Sequence, residues 1–135
     1  MEVLIVESEP ALAELWANHL RRRGARVSVA LSEPDAVAAL QETEVDVIVL
    51  DLVLDNGSAF AVADFASYRQ PSARVVFVTN TSFFSDGSIF RHIPNACAFL
   101  PSCTPPDDLA AVVDHYGDAS VARPKPKVGQ GEGRG

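Results

Sequence analysis

The sequence predicts a doubly wound α/β domain: a five-stranded parallel sheet with helices on both faces. Three observations carry that expectation. Short, largely apolar runs recur along the chain, at Val3 to Val6, Arg26 to Ala30, Val45 to Leu50, Arg74 to Val78 and Ala96 to Leu100. Between them lie helical periodicities opened by Ser, Glu and Pro. Several of the runs are apolar at successive positions, as in strands covered on both faces, and right-handed crossovers place the covering helices there.

The first strand runs directly into Glu7-Ser8-Glu9-Pro10. Ser8 is the expected N-cap of the following helix, with Glu9 and Pro10 in its first turn. Leu12, Leu15, Trp16 and Leu20 then repeat at helical spacing, Arg21 to Arg23 complement the carbonyl end, and Gly24 stops the helix. Ser32-Glu33-Pro34 opens a second helix through Leu40. The third strand ends in Asp51, and the turn at Asn56-Gly57 leads to Ser58 and a helix bearing Phe60, Val62 and Phe65. The fourth strand ends in Thr79. From Ser82 to Pro94, Gly87 and Pro94 break any long apolar stripe, so a short or irregular helix is expected, and Phe83-Phe84 fits either a core position or an exposed contact patch. Asp107 to Tyr116 closes the fold as an amphipathic helix. The expected division is a domain over residues 1–118 and a flexible Gly/Pro/Lys/Arg tail over 119–135, whose composition buries too little surface to offset its ordering entropy.

The bulk numbers narrow the function classes. A chain of 135 residues makes one domain with a real core. Eighteen acids against eleven Lys and Arg give a formal charge of -7, which disfavours direct binding to nucleic acid. No apolar run reaches the ~20 residues of a membrane span, and no signal peptide is evident, so a cytoplasmic location is expected. Cys97 and Cys103 fit no metal pattern, and His19, His92 and His115 stand without ligand-spaced partners.

Ligands of open parallel sheets bind in the crevice at the carboxyl ends of the strands. The polar residues placed there are Glu7 and Ser8, Asp51, Thr79 and Ser102. Asp is also a turn former, Thr a good strand-end residue, and Glu near a helix start complements the dipole, so each has a purely structural reading as well.

These segments resemble the receiver domain of bacterial two-component response regulators. Val3-Leu4-Ile5-Val6-Glu7-Ser8-Glu9-Pro10 is similar to that family's first strand and acidic pair, Ile48-Val49-Leu50-Asp51-Leu52 to its phosphoacceptor strand, and Asp55-Asn56-Gly57-Ser58 to the turn that follows. Val76-Phe77-Val78-Thr79 resembles its hydroxyl-bearing fourth strand and Ala98-Phe99-Leu100-Pro101-Ser102 its fifth. The resemblance implies a flavodoxin-like strand order 2-1-3-4-5. It further implies a phosphorelay role without enzymatic output: Asp51 accepts a phosphoryl group, Thr79 contacts it, and Thr79 and Phe99 act as the switch pair. Magnesium is implied on Glu7, Asp51 and the Val53 backbone carbonyl, with Ser8 a weaker ligand. The implied partners are a histidine kinase or phosphotransfer protein and a downstream protein, and a homodimer through the face near the last strand and helix is allowed.

Two departures qualify this. The second acid of the family's pair is Ser8 here, a neutral oxygen, and the family's lysine position aligns with Ser102, which removes a charge-assisted contact worth about 1.5–3 kcal/mol. Phe99 has no hydroxyl for a surface contact, so an inward-packed state is favoured. The expected function is therefore a stand-alone receiver acting through protein contact, with a phosphorylation-independent interaction module as the alternative. A flavin or nucleotide enzyme on the same architecture lacks its glycine-rich phosphate loop, and Glu7 and Glu9 would repel the anion.

Overall fold

The computed structural model describes residues 1–79, 96–101 and 103–122, with side chains as far as 117. Five parallel strands form one sheet: β1 (Glu2–Val6), β2 (Arg26–Ala30), β3 (Val47–Asp51), β4 (Arg74–Thr79) and β5 (Ala96–Pro101). Their spatial order is β2-β1-β3-β4-β5. Four helices accompany them among the described residues: α1 (Pro10–Arg22), α2 (Glu33–Glu42), α3 (Ala59–Arg69) and α4 (Pro106–Ala122). The fold class is the one the sequence predicts, and the strand order is the one the family resemblance implies. Ser82 to Pro94, including Phe83-Phe84, and Ser102 lie outside the described residues.

The apolar runs become strands because both of their faces are covered. In β1, Leu4 and Val6 join a core with Leu40, Ile48, Leu50, Val62 and Phe77, under α2 and α3. Val3 and Ile5 face the opposite core, with Trp16, Leu20, Val49, Leu109 and Val113, under α1 and α4. A residue such as Leu50, fully buried, contributes roughly 1.5–3 kcal/mol by burial. The third strand starts at Val47 rather than Val45. Asp46 sits at its entrance and its Oδ2 accepts the Glu2 N–H at 2.8 Å, which ties the start of β3 to the start of β1.

The helices begin within about a residue of their expected starts, with two corrections of face. In α1 the buried residues are Ala13, Trp16, Ala17 and Leu20, whereas Leu15 is 43% exposed. In α3 they are Ala59, Val62, Ala63 and Ala66, so small residues bring this helix close to the sheet. Phe60 stays half-exposed and leans on Phe77, ring centroids 6.3 Å apart. Ser32 and Ser58 are N-caps as expected: Ser32 Oγ accepts from Asp35 N–H and Ser58 Oγ from Ala61 N–H, both at 3.3 Å. Gly24 and Gly57 adopt φ values of +93° and +101°, which explains glycine at those two turns. The last helix continues past Tyr116 to Ala122 and is pinned to α1 by an Arg23–Asp114 ion pair of 3.1 Å.

Candidate functional site

Parallel strands ending at one level bring three polar residues to the same end of the sheet. Glu7 immediately follows β1, Asp51 ends β3 and Thr79 ends β4. Between the first two opens a pocket of about 290 Å³, lined by Glu7, Ser8, Glu9, Leu12, Asp51, Val53 and Asp55. Thr79 is 1% exposed, one position beyond Val78, the ladder partner of Asp51, and does not line this pocket.

Glu7 is a buried acid, 4% exposed, beside a second carboxyl group. Burial and then a side-chain hydrogen bond to Asp51 push its pKa up to about 7; the charges of Asp51 and Glu9 add to the rise. The Glu9 N–H donates to Glu7 Oε2 at 3.0 Å and opposes it. Glu7 thus keeps its proton toward neutral pH, where it is hydrogen-bonded to Asp51. On its other side, Asp51 Oδ1 accepts the Val53 N–H at 3.0 Å, which folds the start of the β3–α3 connection over the acid.

Ser8 does not cap α1. The N-cap position is Glu9, with no side-chain cap bond, and Ser8 Oγ instead accepts the Asp55 N–H at 2.8 Å. The hydroxyl ties the β1–α1 connection to the β3–α3 connection across the pocket. A second tie lies behind it: Glu33 Oε1 accepts the Ser58 N–H at 2.8 Å, and the Glu33 N–H donates to Asn56 O at 3.0 Å. Sequence reading missed Glu33 as part of this region; the signal was Ser58 followed three residues later by Ala61, a cap lacking its usual acidic partner.

All pocket donors are oxygens. Magnesium binds through one or two carboxylates and keeps several waters, and two hydrogen-bonded carboxyls are where such a cation would relieve repulsion. The donor set of Glu7 and Asp51, with the Val53 backbone beside them, fits that ion. Among the described residues no three His, Cys, Asp or Glu side chains are grouped as a metal cage. Phe99, half-buried in β5, stands in register with Phe77 and packs against the core that contains it.

The chain belongs to the response regulator receiver domain family, whose sequence profile matches residues 3–90. It is 34% identical over 77 residues to the probable transcriptional regulatory protein TcrX of Mycobacterium tuberculosis, a match covering 57% of this chain and 33% of that protein. The chain thus spans about a third of the length of this curated relative. Among solved structures it is similar to a CheY-like response regulator receiver domain protein from Methanospirillum hungatei, with a TM-score of 0.80, 19% identity and coverage of 89% and 95% of the two chains. It is also similar to the response regulator TrrA of Thermotoga maritima, solved in complex with Mg(2+)-BeF, with a TM-score of 0.74, 20% identity and coverage of 85% and 97%. No helix among the described residues is long and apolar enough to cross a membrane.

Proposed function

We propose that the pocket is a phosphoryl-acceptor site with Asp51 as the acceptor, and that the chain works in a phosphorelay. The observation that carries this reading is the Asp51 carboxylate at the end of the central strand, bonded to Glu7 on one side and to the Val53 N–H on the other, facing an open pocket. The donor is a histidine kinase or a phosphotransfer protein. A phosphohistidine P–N bond breaks, a P–O bond forms to an Asp51 oxygen, and the leaving imidazole nitrogen regains its lone pair.

Such a transfer depends on positioning and on offsetting charge at the phosphoryl oxygens. Glu7, Asp51 and the Val53 carbonyl would hold magnesium, with Ser8 a weaker neutral oxygen, and the ion's charge offsets those oxygens. The proton held by Glu7 must leave as the cation enters. Thr79 moves toward the phosphoryl group and Phe99 responds from the adjacent strand, already packed inward. The added charge of about -1.5 to -2 is then read by a downstream protein partner.

Intact-protein mass after incubation with acetyl phosphate and magnesium tests the proposal. A single phosphate adduct that requires both magnesium and Asp51, and disappears in Asp51→Asn, is the expected result; no adduct from acetyl phosphate or from a cognate kinase sinks it.

One observation favours a second reading. Ser8 Oγ is engaged by the Asp55 N–H, so a neutral oxygen that is already hydrogen-bonded stands where the family has its second acid. On this reading the domain is a phosphate-independent interaction module, and its partner binding persists unchanged in Asp51→Asn.

A further inference from the structure

A helix N-terminus leaves its first amides without intrahelical partners. The usual local remedy pairs an N-cap Ser, bonded to the N3 amide, with an N3 Glu that reaches back to the N-cap amide. In α3 the first half is present, Ser58 Oγ to Ala61 N–H, but N3 is alanine. The missing half arrives from another helix: Glu33, the first residue of α2, places Oε1 2.8 Å from the Ser58 N. Its own backbone N–H donates to Asn56 O, and a side chain at Gly57 would collide with Glu33 Cβ. The two residues before the cap are therefore held against Glu33 as well.

We infer that Glu33 is a positioning residue for the Asp51 pocket: its carboxylate completes the α3 cap from α2 and so fixes the connection that carries Val53 and Asp55. Besides backbone bonds, that connection has two other side-chain anchors, Val53 N–H to Asp51 Oδ1 and Asp55 N–H to Ser8 Oγ, and both lie in the pocket. Three amides of one short segment, those of Val53, Asp55 and Ser58, are thus bonded to side chains from β3, the β1–α1 connection and α2 in turn. Glu33 holds the end nearest α3. Without its carboxylate the Ser58 amide is released, and the side-chain anchors that remain, Asp51 and Ser8, are themselves polar groups needed for cation and phosphoryl contact. The functional half of this inference rests on the phosphoryl-acceptor reading; the structural half does not.

The test compares the full chain with Glu33→Ala and Glu33→Gln, using residue-resolved amide hydrogen exchange and the magnesium dependence of adduct formation with acetyl phosphate. Glu33→Ala should speed exchange at Ser58 and also at Val53 and Asp55, by on the order of tenfold, and raise the half-maximal magnesium concentration several-fold with less change in the plateau rate. Glu33→Gln keeps an acceptor oxygen and should stay within about twofold of the native protein on both measures. Faster exchange confined to Ser58 and the first turn of α3, or a glutamine variant as impaired as alanine, overturns the inference. If the native protein takes no phosphate, the acceptor reading fails by itself, and exchange at Val53 and Asp55 decides the positioning role.

Discussion

Ser8 and Asp55 lie 47 positions apart in sequence, and the hydroxyl of one accepts the backbone N–H of the other at 2.8 Å. A residue that looks like a local helix cap is a strut between two loops. Ser8→Ala should cost about 0.5–1.5 kcal/mol in urea unfolding, the range for one lost hydrogen bond. Ser8→Asp adds a carboxylate to a pocket already lined by Glu7, Glu9, Asp51 and Asp55. It should raise magnesium affinity roughly tenfold, about 1.4 kcal/mol, by calorimetry, and lower metal-free stability above neutral pH through repulsion from Glu7 and Asp51. Unchanged magnesium affinity would show that the carboxylate points away from the ion.

Glu7 sets a pH dependence. Its pKa rises from 4.5 to about 7 on folding, so the folded state binds the extra proton between those values. Stability is therefore highest below about 4.5 as far as this group is concerned, falls as pH rises toward 7, and is level above it. The shift corresponds to an upper bound of about 3 kcal/mol. Glu7→Gln should flatten this stretch of the profile and be relatively more stable than the native protein at pH 8, measured by urea unfolding at pH 5 and pH 8. An equal native-to-variant difference at both pH values would contradict the raised pKa of Glu7. Magnesium affinity should move the opposite way and increase as pH rises through 7, with proton release on binding below it.

Gln70 at the end of α3 carries three bonds with one side chain. Its Oε1 accepts Val45 N–H at 2.8 Å, and its Nε2 donates to Leu40 O at 2.8 Å and Thr43 O at 2.7 Å. Together these close the end of α2 onto the entry to β3. Gln70→Ala strands all three backbone groups and should destabilise by about 2–4 kcal/mol, whereas Gln70→Glu retains only the acceptor. A thermal shift below 2 °C for the alanine variant would mean that water replaces the amide.

The two thiols should separate cleanly. Burial pushes Cys97 up to about 11, and its Sγ donates to Val75 O at 3.4 Å, while Cys103 is exposed. In the native protein a thiol reagent should modify one cysteine quickly and the other only as the fold opens, and mapping should find Cys103 labelled first. Comparable rates would indicate that β5 opens readily.

Strand positions, the parallel sheet and the polar residues at strand ends were legible because each depends on residues adjacent in sequence. Val3 to Val6 and Arg74 to Thr79 carry their burial in their own composition, and Ser32 and Ser58 meet their cap partners three residues on. The misread features depend on distant partners. Ser8 has every local qualification for a cap, yet its bond goes to Asp55; Asp46 interrupts an apolar run, yet it serves Glu2; Leu15 fits the helical stripe, yet alanines at 13 and 17 take the buried side. Periodicity locates a face to within a residue or so, and only packing decides which neighbour wins. The Glu7 proton was illegible for the same reason, since it needs Asp51 from another strand.

The strand order has a consequence for how the protein is made. Of this sheet's strands, the earliest in sequence lies inside it, between β2 and β3, and β4 and β5 are added outward on one side. Val6, Leu50 and Phe77 come from three separate parts of the chain but sit side by side in the same core. On a ribosome, residues 1–51 can emerge and pair three strands while the fourth is still unmade. The end of the sheet where the acids gather is completed only when Thr79 has been translated, so a stalled chain would carry an acidic notch on a half-built wall.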